Sequence, residues 1–506
     1  MDYSPVTAVW EITMCCNMRC GHCGSACADA LPDELTTEEA LAVIDQMKTL
    51  GIQWITLSGG EPLTRKDWPA LAGRLTKNGI VPNIITNGWL LTEEMVRTAQ
   101  ASGVQTISIS LDGVKDTHDA IRTQGSFDRV INSFRILRRC NHISAANTTI
   151  TKQNLDQLDE IKSILIENHV DLWQLQIGLP MGNMADKKDL IVGPETIEYL
   201  LDYSYQTMQE GKIRVFPADC LGYFTTKEML VRQVSVGSTT PVIWQGCNAG
   251  KRSFGLLHNG DVTGCTSIRD PEFIEGNILD RSLVDIWNDP EAFKWSRSMT
   301  KSDLSGNCRE CLYGTVCLGG CPNTRLTLNG CLESDNTYCA YHAAMEETKE
   351  RLRLHDDVDE LNQAAWAYVR EDKWQLASLT LQRALEVEPD DTDTLSLYGY
   401  ASFILENFET ARDANEKILT IQPDTVYAMK GLGLSLYRLG DIDAGLRYLI
   451  QASESSTPEA MNASYDLATV YRELGLHAKA DEAVQKARLK AAEIQRVVTG
   501  NGVQDK

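Results

Sequence analysis

TAVWEITMCCNMRCGHC, residues 7–23, reads as a short β-rich run opening into three cysteines spaced CxxxCxxC: Cys16, Cys20 and Cys23. The next β-rich run, WITLSGG from Trp54, ends in Ser58-Gly59-Gly60-Glu61-Pro62. Four more follow within the first 180 residues: VPNIITNG from Val81, TISISLDG from Thr106, SAANTTIT from Ser144 and LWQLQIG from Leu172. Helix-like stretches separate them. In TTEEALAVIDQMKTL, Thr36 or Thr37 supplies a cap, and Glu38 and Glu39 suit the positive helix start. Leu41, Ile44, Met47 and Leu50 recur at helical spacing, and Gly51 stops the helix. Strands alternating with helices imply parallel βα units and right-handed crossovers. Six units predict an α/β fold, a partial (β/α)6 TIM-like barrel whose chemistry sits at the strand C-termini. Cys16 follows the first strand, where such a site belongs.

The 506 residues are too many for one ordinary core and accommodate two or three domains. A chain that is 43% hydrophobic and 23% charged is globular. A net charge of -22, with no compensating Lys/Arg cluster, argues against nucleic acid and anionic lipid as partners. No apolar run approaches the roughly 20 residues of a membrane span, and the start lacks signal-peptide character. The expected location is the cytoplasm, without a membrane. Fifteen cysteines in such a chain point to metals or redox work, not to a disulfide framework.

The barrel is expected over residues 1–240, with a boundary near Pro241. From about Cys247 to Cys339 glycine and cysteine rise, which suits a small metal-stapled module over 241–350. Beyond about Asp357 a 34-residue period separates Pro389 from Pro423, Gly399 from Gly433, Leu405 from Leu439 and Ala377 from Ala411. A further copy with one inserted residue gives Pro458, Ala468 and Leu474. This resembles tetratricopeptide repeats and predicts an all-α solenoid over 357–495.

Three thiolates supply three of the four ligands of a cubane iron-sulfur cluster and leave one iron open. An open iron can chelate the amino and carboxylate groups of S-adenosylmethionine (SAM) and deliver the electron that splits its sulfonium. With Gly59-Gly60-Glu61-Pro62 added, most of the first 250 residues resemble the radical SAM superfamily. The resemblance implies a SAM-binding 4Fe-4S cluster on Cys16, Cys20 and Cys23. It also implies SAM contacts from Gly59, Gly60, Glu61, Asn87 in Thr86-Asn87-Gly88, Ser108, Ser110, Asp112 and the carboxylate-binding Arg122. Gln176-Ile177-Gly178 and the following loop stand where relatives pack adenine. His22 stands where many members carry an aromatic residue. A zinc site completed by His22 or Cys27 is the plainer alternative.

Cys247, Gly260 to Cys265, then Cys308, Cys311, Cys317, Cys321 and Cys339 give an order that resembles the SPASM (twitch-type) domain. That resemblance implies two auxiliary 4Fe-4S clusters, one on Cys308, Cys311, Cys317 and Cys339. The other is expected on Cys247, Cys265 and Cys321, one ligand short, with Cys220 or a substrate group as the fourth. Zinc-ribbon binding is the alternative. Cys15, Cys27, Cys140, Cys220 and Cys331 are left over and suit small buried hydrophobes.

The leading expectation is a radical SAM peptide maturase that abstracts a hydrogen from a residue of a ribosomally made precursor and installs a crosslink or related modification. Its partners are then a precursor peptide or client protein and an electron donor such as flavodoxin or ferredoxin. About fifteen residues precede Cys16, too few for a leader-recognition domain, a task the repeats are expected to take over. Alternatives are a maturase of a folded protein of sulfatase or quinoprotein type, and an enzyme of tetrapyrrole-like cofactor biosynthesis. A non-enzymatic iron-sulfur scaffold requires the Gly59-to-Pro62 and ribose elements to be accidental.

Overall fold

The computed structural model describes residues 3–500 apart from 219, 224, 225, 241, 243 and 312, and the side chains of 226, 344 and 493–500 are not described. The boundary expected at Pro241 therefore lies outside the described residues. All six expected strands form: β1 (Thr7–Glu11), β2 (Trp54–Ser58), β3 (Val81–Thr86), β4 (Thr106–Ser110), β5 (Ile143–Ile150) and β6 (Leu172–Ile177). They pair in parallel in chain order, with registers such as Trp10↔Leu57 and Ile109↔Ala146. Ala8, Trp10 and Ile12 alternate into the core and are at most 1% exposed. The helix after β1 spans Thr37–Leu50, and Thr36 and Glu39 form a reciprocal capping box at its start. Gly51 closes it at φ 78°, a left-handed conformation that glycine adopts without strain. Its deepest residues are Ala40, Val43, Ile44 and Met47, while Leu41 and Leu50 pack at the margin of the core.

Four strands extend that sheet in places the sequence pattern did not mark. β7 (Arg214–Pro217) adds a seventh parallel strand beside β6. β8 (Ser253–Leu256) pairs in parallel with β1, and β9 (Asp261–Thr263) and β10 (Ile274–Asn277) continue antiparallel, so the order is β10-β9-β8-β1-β2-β3-β4-β5-β6-β7. The partial barrel and the cysteine-rich region thus share one sheet. They also share one core, since Phe254, Leu256, Val262, Leu283, Ile286, Trp287 and Phe293 pack with the barrel residues. Accordingly Met1–Arg309 and Tyr313–Ala343 form one compact unit, within which the cysteine-rich region also keeps a small cluster of its own around Ile268, Phe273 and Leu332.

The second unit, Glu310–Leu312 with Ala344–Lys506, is helical over most of its described residues. From Val358–Arg370 to His477–Gly500 eight helices follow one another, joined by short loops. The 34-residue period has a packing cause: Ala377 and Ala411 are both 0% exposed, and a Cβ added at Gly433 would lie 2.9 Å from the Gly445 carbonyl. Small residues recur where neighbouring helices cross closely. Leu405 is buried, whereas its counterpart Leu439 is 38% exposed, so that pair shares position without sharing burial. No helix among the described residues is long and apolar enough to cross a membrane.

Candidate active site and cysteine arrays

The segment leaving β1 is held from several sides. Glu34 accepts the Met14 N–H at 2.7 Å and the Thr13 hydroxyl, and Arg65 donates to the Ile12 and Leu35 carbonyls at 2.7 and 2.9 Å. Cys16 N–H reaches Ala28 O at 2.8 Å, folding residues 16–28 into a closed loop. The loop after β6 grips it from above, Asn183 giving its backbone N–H to Cys23 O and its side chain to Cys20 O, both at 2.9 Å. A Cβ at Gly182 would lie 2.3 Å from that Cys23 oxygen. The loop expected near adenine therefore braces the cysteines. Glu34, Arg65 and Asn183 were invisible to local pattern, because each acts across a long sequence separation.

Gly59 and Gly60 make room for the chain itself. A Cβ at either position would sit 2.2 Å from a backbone oxygen, of Thr13 and Cys15 respectively. Their segment also hydrogen-bonds that stretch, Gly60 N–H to Thr13 O and Glu61 N–H to Cys15 O, both at 2.7 Å. Glu61 is 0% exposed and its carboxylate accepts from the Thr86 hydroxyl and Asn87 N–H, each at 2.7 Å, and from Leu63 N–H at 3.1 Å. Burial pushes this carboxyl up against the pull of those donors. Glu61 thus ties the end of β2 to the end of β3.

Asn87 stands beside the cysteines: its side-chain nitrogen lies 2.8 Å from Asn17 Oδ1 and 4.0 Å from Cys16 Sγ. Ser108 donates to Asn147 at 2.9 Å, and Ser110, half-buried, pairs in register with the same residue. Asp112 is 0% exposed and joins the two remaining elements. Its Oδ2 lies 2.5 Å from Arg122 Nε and 3.0 Å from His22 Nε2, and its Oδ1 accepts Thr149 N–H at 2.8 Å. Burial alone would raise this carboxyl, but Arg122 and His22 outweigh it and hold it well below the usual carboxylate range. Arg122 also places Nη1 3.9 Å from Cys20 Sγ. His22, the aromatic of the motif, is therefore spent on Asp112, while its Nδ1 is buried without a hydrogen-bond partner.

Cys16, Cys20 and Cys23 carry free thiols, and among the described residues no three His, Cys, Asp or Glu side chains converge on a single ion position. A cubane asks for no such convergence, since each thiolate goes to a different iron. Burial pushes Cys16 up to about 11 and raises Cys20, so loading a metal there releases protons. In the second array Cys265 lies within electrostatic reach of Cys321, and Cys308 of Cys339. Cys317 packs with Tyr223 and Trp244, with Cys321 and Cys339 against the same cluster. Cys247 lines a small cavity with Lys251 and Arg325. Cys311 follows the short helix Gly306–Glu310, within the Glu310–Leu312 stretch that groups with the helical unit.

Known proteins share this layout. The radical SAM superfamily pattern matches residues 10–165, the iron-sulfur cluster-binding SPASM domain 247–312, and the tetratricopeptide repeat 362–425 and 430–493. The AdoMet-dependent heme synthase of Methanosarcina barkeri is 31% identical over 349 residues, spanning 67% of this chain and 98% of that protein. The chain belongs to the radical SAM superfamily. The mycofactocin maturase MftC of Mycolicibacterium smegmatis is 29% identical over 325 residues, 63% of this chain and 78% of MftC. Among solved structures, Streptococcus suis SuiB bound to precursor peptide SuiA shares the fold with a TM-score of 0.53 at 19% identity, covering 66% and 75% of the two chains. The structure of anSMEcpe with bound AdoMet and the Cp18Cys peptide gives 0.52 at 17% identity, covering 66% and 93%.

As a radical SAM enzyme the protein uses SAM and a 4Fe-4S cluster, and its SPASM domain binds auxiliary iron-sulfur clusters. The residues present fit these groups: the thiols of Cys16, Cys20 and Cys23 are free and sit on one braced loop with a guanidinium at Cys20 and an amide at Cys16. Asp112→Asn is expected to destabilise the first unit by about 3–5 kcal/mol, because it leaves Arg122 buried without its anion. Chemical denaturation checks this, and an unchanged midpoint would remove Asp112 from that role.

Proposed function

We propose that this radical SAM enzyme matures a ribosomally synthesised precursor peptide, abstracting a hydrogen from one residue and installing a crosslink or related modification. The observation that carries the reading lies on the repeats. Trp366 and Tyr400, 34 residues apart, hold the same position in the first helices of successive pairs and are 51% and 45% exposed. Exposed aromatics at a repeated helix position suit an extended peptide, because large rigid side chains dominate recognition energy and stacked repeats present long surfaces. SuiB, whose fold this chain shares, is recorded with a precursor peptide bound.

In this reading Cys16, Cys20 and Cys23 hold the cluster that, when bound, supplies the electron splitting SAM to a 5′-deoxyadenosyl radical. Asn87, Ser108 and Ser110 meet the ribose and methionyl groups at the strand ends. Arg122, kept beside the cysteines by Asp112, faces the SAM carboxylate. The backbone of Gly59 to Glu61 fixes where the cysteine loop begins. Cys308, Cys311, Cys317 and Cys339 hold one auxiliary cluster, and Cys247, Cys265 and Cys321 the other. Flavodoxin or ferredoxin is the proposed electron source.

The test is incubation of the reconstituted enzyme with SAM, dithionite and a short peptide encoded beside its gene, read by mass spectrometry. A changed peptide mass is expected, and the Trp366→Ala/Tyr400→Ala pair should weaken peptide binding about 30-fold, the equivalent of roughly 2 kcal/mol. A second reading, work on a tetrapyrrole-like substrate, is supported by the heme synthase relative, 98% of whose length is covered. An unaltered peptide together with a consumed porphyrin would decide for it.

A further inference from the structure

Arg325 is 1% exposed and among the largest fully buried side chains. It sits in the helix Pro322–Asn329, one turn after Cys321, whose carbonyl its backbone N–H meets at 3.4 Å. Only Nη2 finds an acceptor, the Leu318 carbonyl at 3.0 Å, with Met299 sulfur at 3.8 Å. Nε and Nη1 are buried with no hydrogen-bond partner. The guanidinium lies against Gly319, where an added Cβ would be 2.9 Å from Cζ, so a bare backbone has been kept for it. After burial itself, the groups acting most strongly on it are the sulfurs of Cys308, Cys321 and Cys317 and the phenol of Tyr223.

A guanidinium does not shed its proton, so burial cannot be relieved by neutralisation. A buried cation with unused donors is costly unless an anion and hydrogen-bond acceptors reach it. Thiols supply little of either. A cysteine-ligated iron-sulfur cluster supplies both, since it carries net negative charge and its sulfurs accept hydrogen bonds.

We propose that Arg325, one turn after Cys321 and on a small cavity shared with Cys247, is the resident counter-cation of the auxiliary iron-sulfur centres, and that it raises their reduction potential. The proposal rests on the reading that these cysteines hold clusters. Reduction adds one negative charge, which a fixed cation stabilises more than the oxidised form, so the potential rises. Arg325 is a positioning and tuning residue here, and it need not touch the substrate.

The experiment uses the full chain with Cys16, Cys20 and Cys23 replaced by alanine, so that only auxiliary clusters remain. Iron, sulfide and the electron paramagnetic resonance midpoint are measured for this protein and for Arg325→Gln and Arg325→Lys made in it. At a fixed potential Arg325→Gln is expected to raise the oxidised-to-reduced ratio about tenfold, which is ~59 mV for a one-electron couple. Arg325→Lys should move less than half as far. If the background protein binds no iron and sulfide, the cluster reading fails and the proposal falls with it. If it is loaded and Arg325→Gln leaves the midpoint unchanged, Arg325 alone loses its role. Loading lost in Arg325→Gln but kept in Arg325→Lys supports the proposal; loading lost in both assigns Arg325 to packing and overturns it.

Discussion

Anaerobically reconstituted Cys20→Ala protein, given dithionite and SAM, is expected to release no 5′-deoxyadenosine. The loss should be on the order of 10³-fold or more, because groups that act as a unit fail together. Cys20 is buried, 3.9 Å from the Arg122 guanidinium, and on the loop that Asn183 clamps, so no neighbouring thiol takes its place without moving that loop. Cys331→Ala is the control. Cys331 is exposed, its thiol turned to Glu333 at 2.9 Å, and its loss should leave release intact. Undiminished release from Cys20→Ala would overturn the cluster assignment.

Gly60→Ala should be nearly as damaging, although it removes no ligand and adds one methyl group. That carbon would fall 2.2 Å from the Cys15 carbonyl and 2.8 Å from that of Met14. Both are backbone, and neither can swing aside. The segment between Thr13 and Cys16 must shift, at a cost of about 1–3 kcal/mol or more, and Cys16 shifts with it. Iron analysis of the reconstituted variant is expected to fall by the content of one cubane, about four atoms per chain. Gly73→Ala provides the contrast: it sits in the helix Trp68–Lys77 with nothing within 4 Å of an added Cβ, and it should stabilise slightly, by about 0.5–1 kcal/mol. Full iron loading in Gly60→Ala would show that the loop tolerates displacement.

The contrast between these glycines shows what could be read from sequence. Strands β1 to β6, the Thr36 cap and the 34-residue repeat were legible because each is a local or periodic signal. β7 was not: Arg214–Pro217 is four residues long and ends in proline, too brief for alternation to speak. β8 was missed because its partner β1 lies more than 240 residues earlier, and long-range pairing leaves no mark on either segment. At the site, residue types were readable and their partners were not. Asp112 is legible as a polar residue after β4, but its burial between Arg122, His22 and the Thr149 backbone is not. The Glu61 carboxylate's bonds to Thr86 and Asn87 at the end of β3 are likewise invisible in the motif. Arg325 passed unnoticed, since an arginine on a short helix looks like any solvated surface cation.

The hydrogen bonds between β1 and β8 bear on how such enzymes diversify. A segment that completes a neighbour's sheet cannot be exchanged between relatives as a cassette, because an incoming piece must bring a strand of matching length and register. Without one, Thr7 to Trp10 would present an open row of amide and carbonyl groups, an invitation to pair with another chain and precipitate.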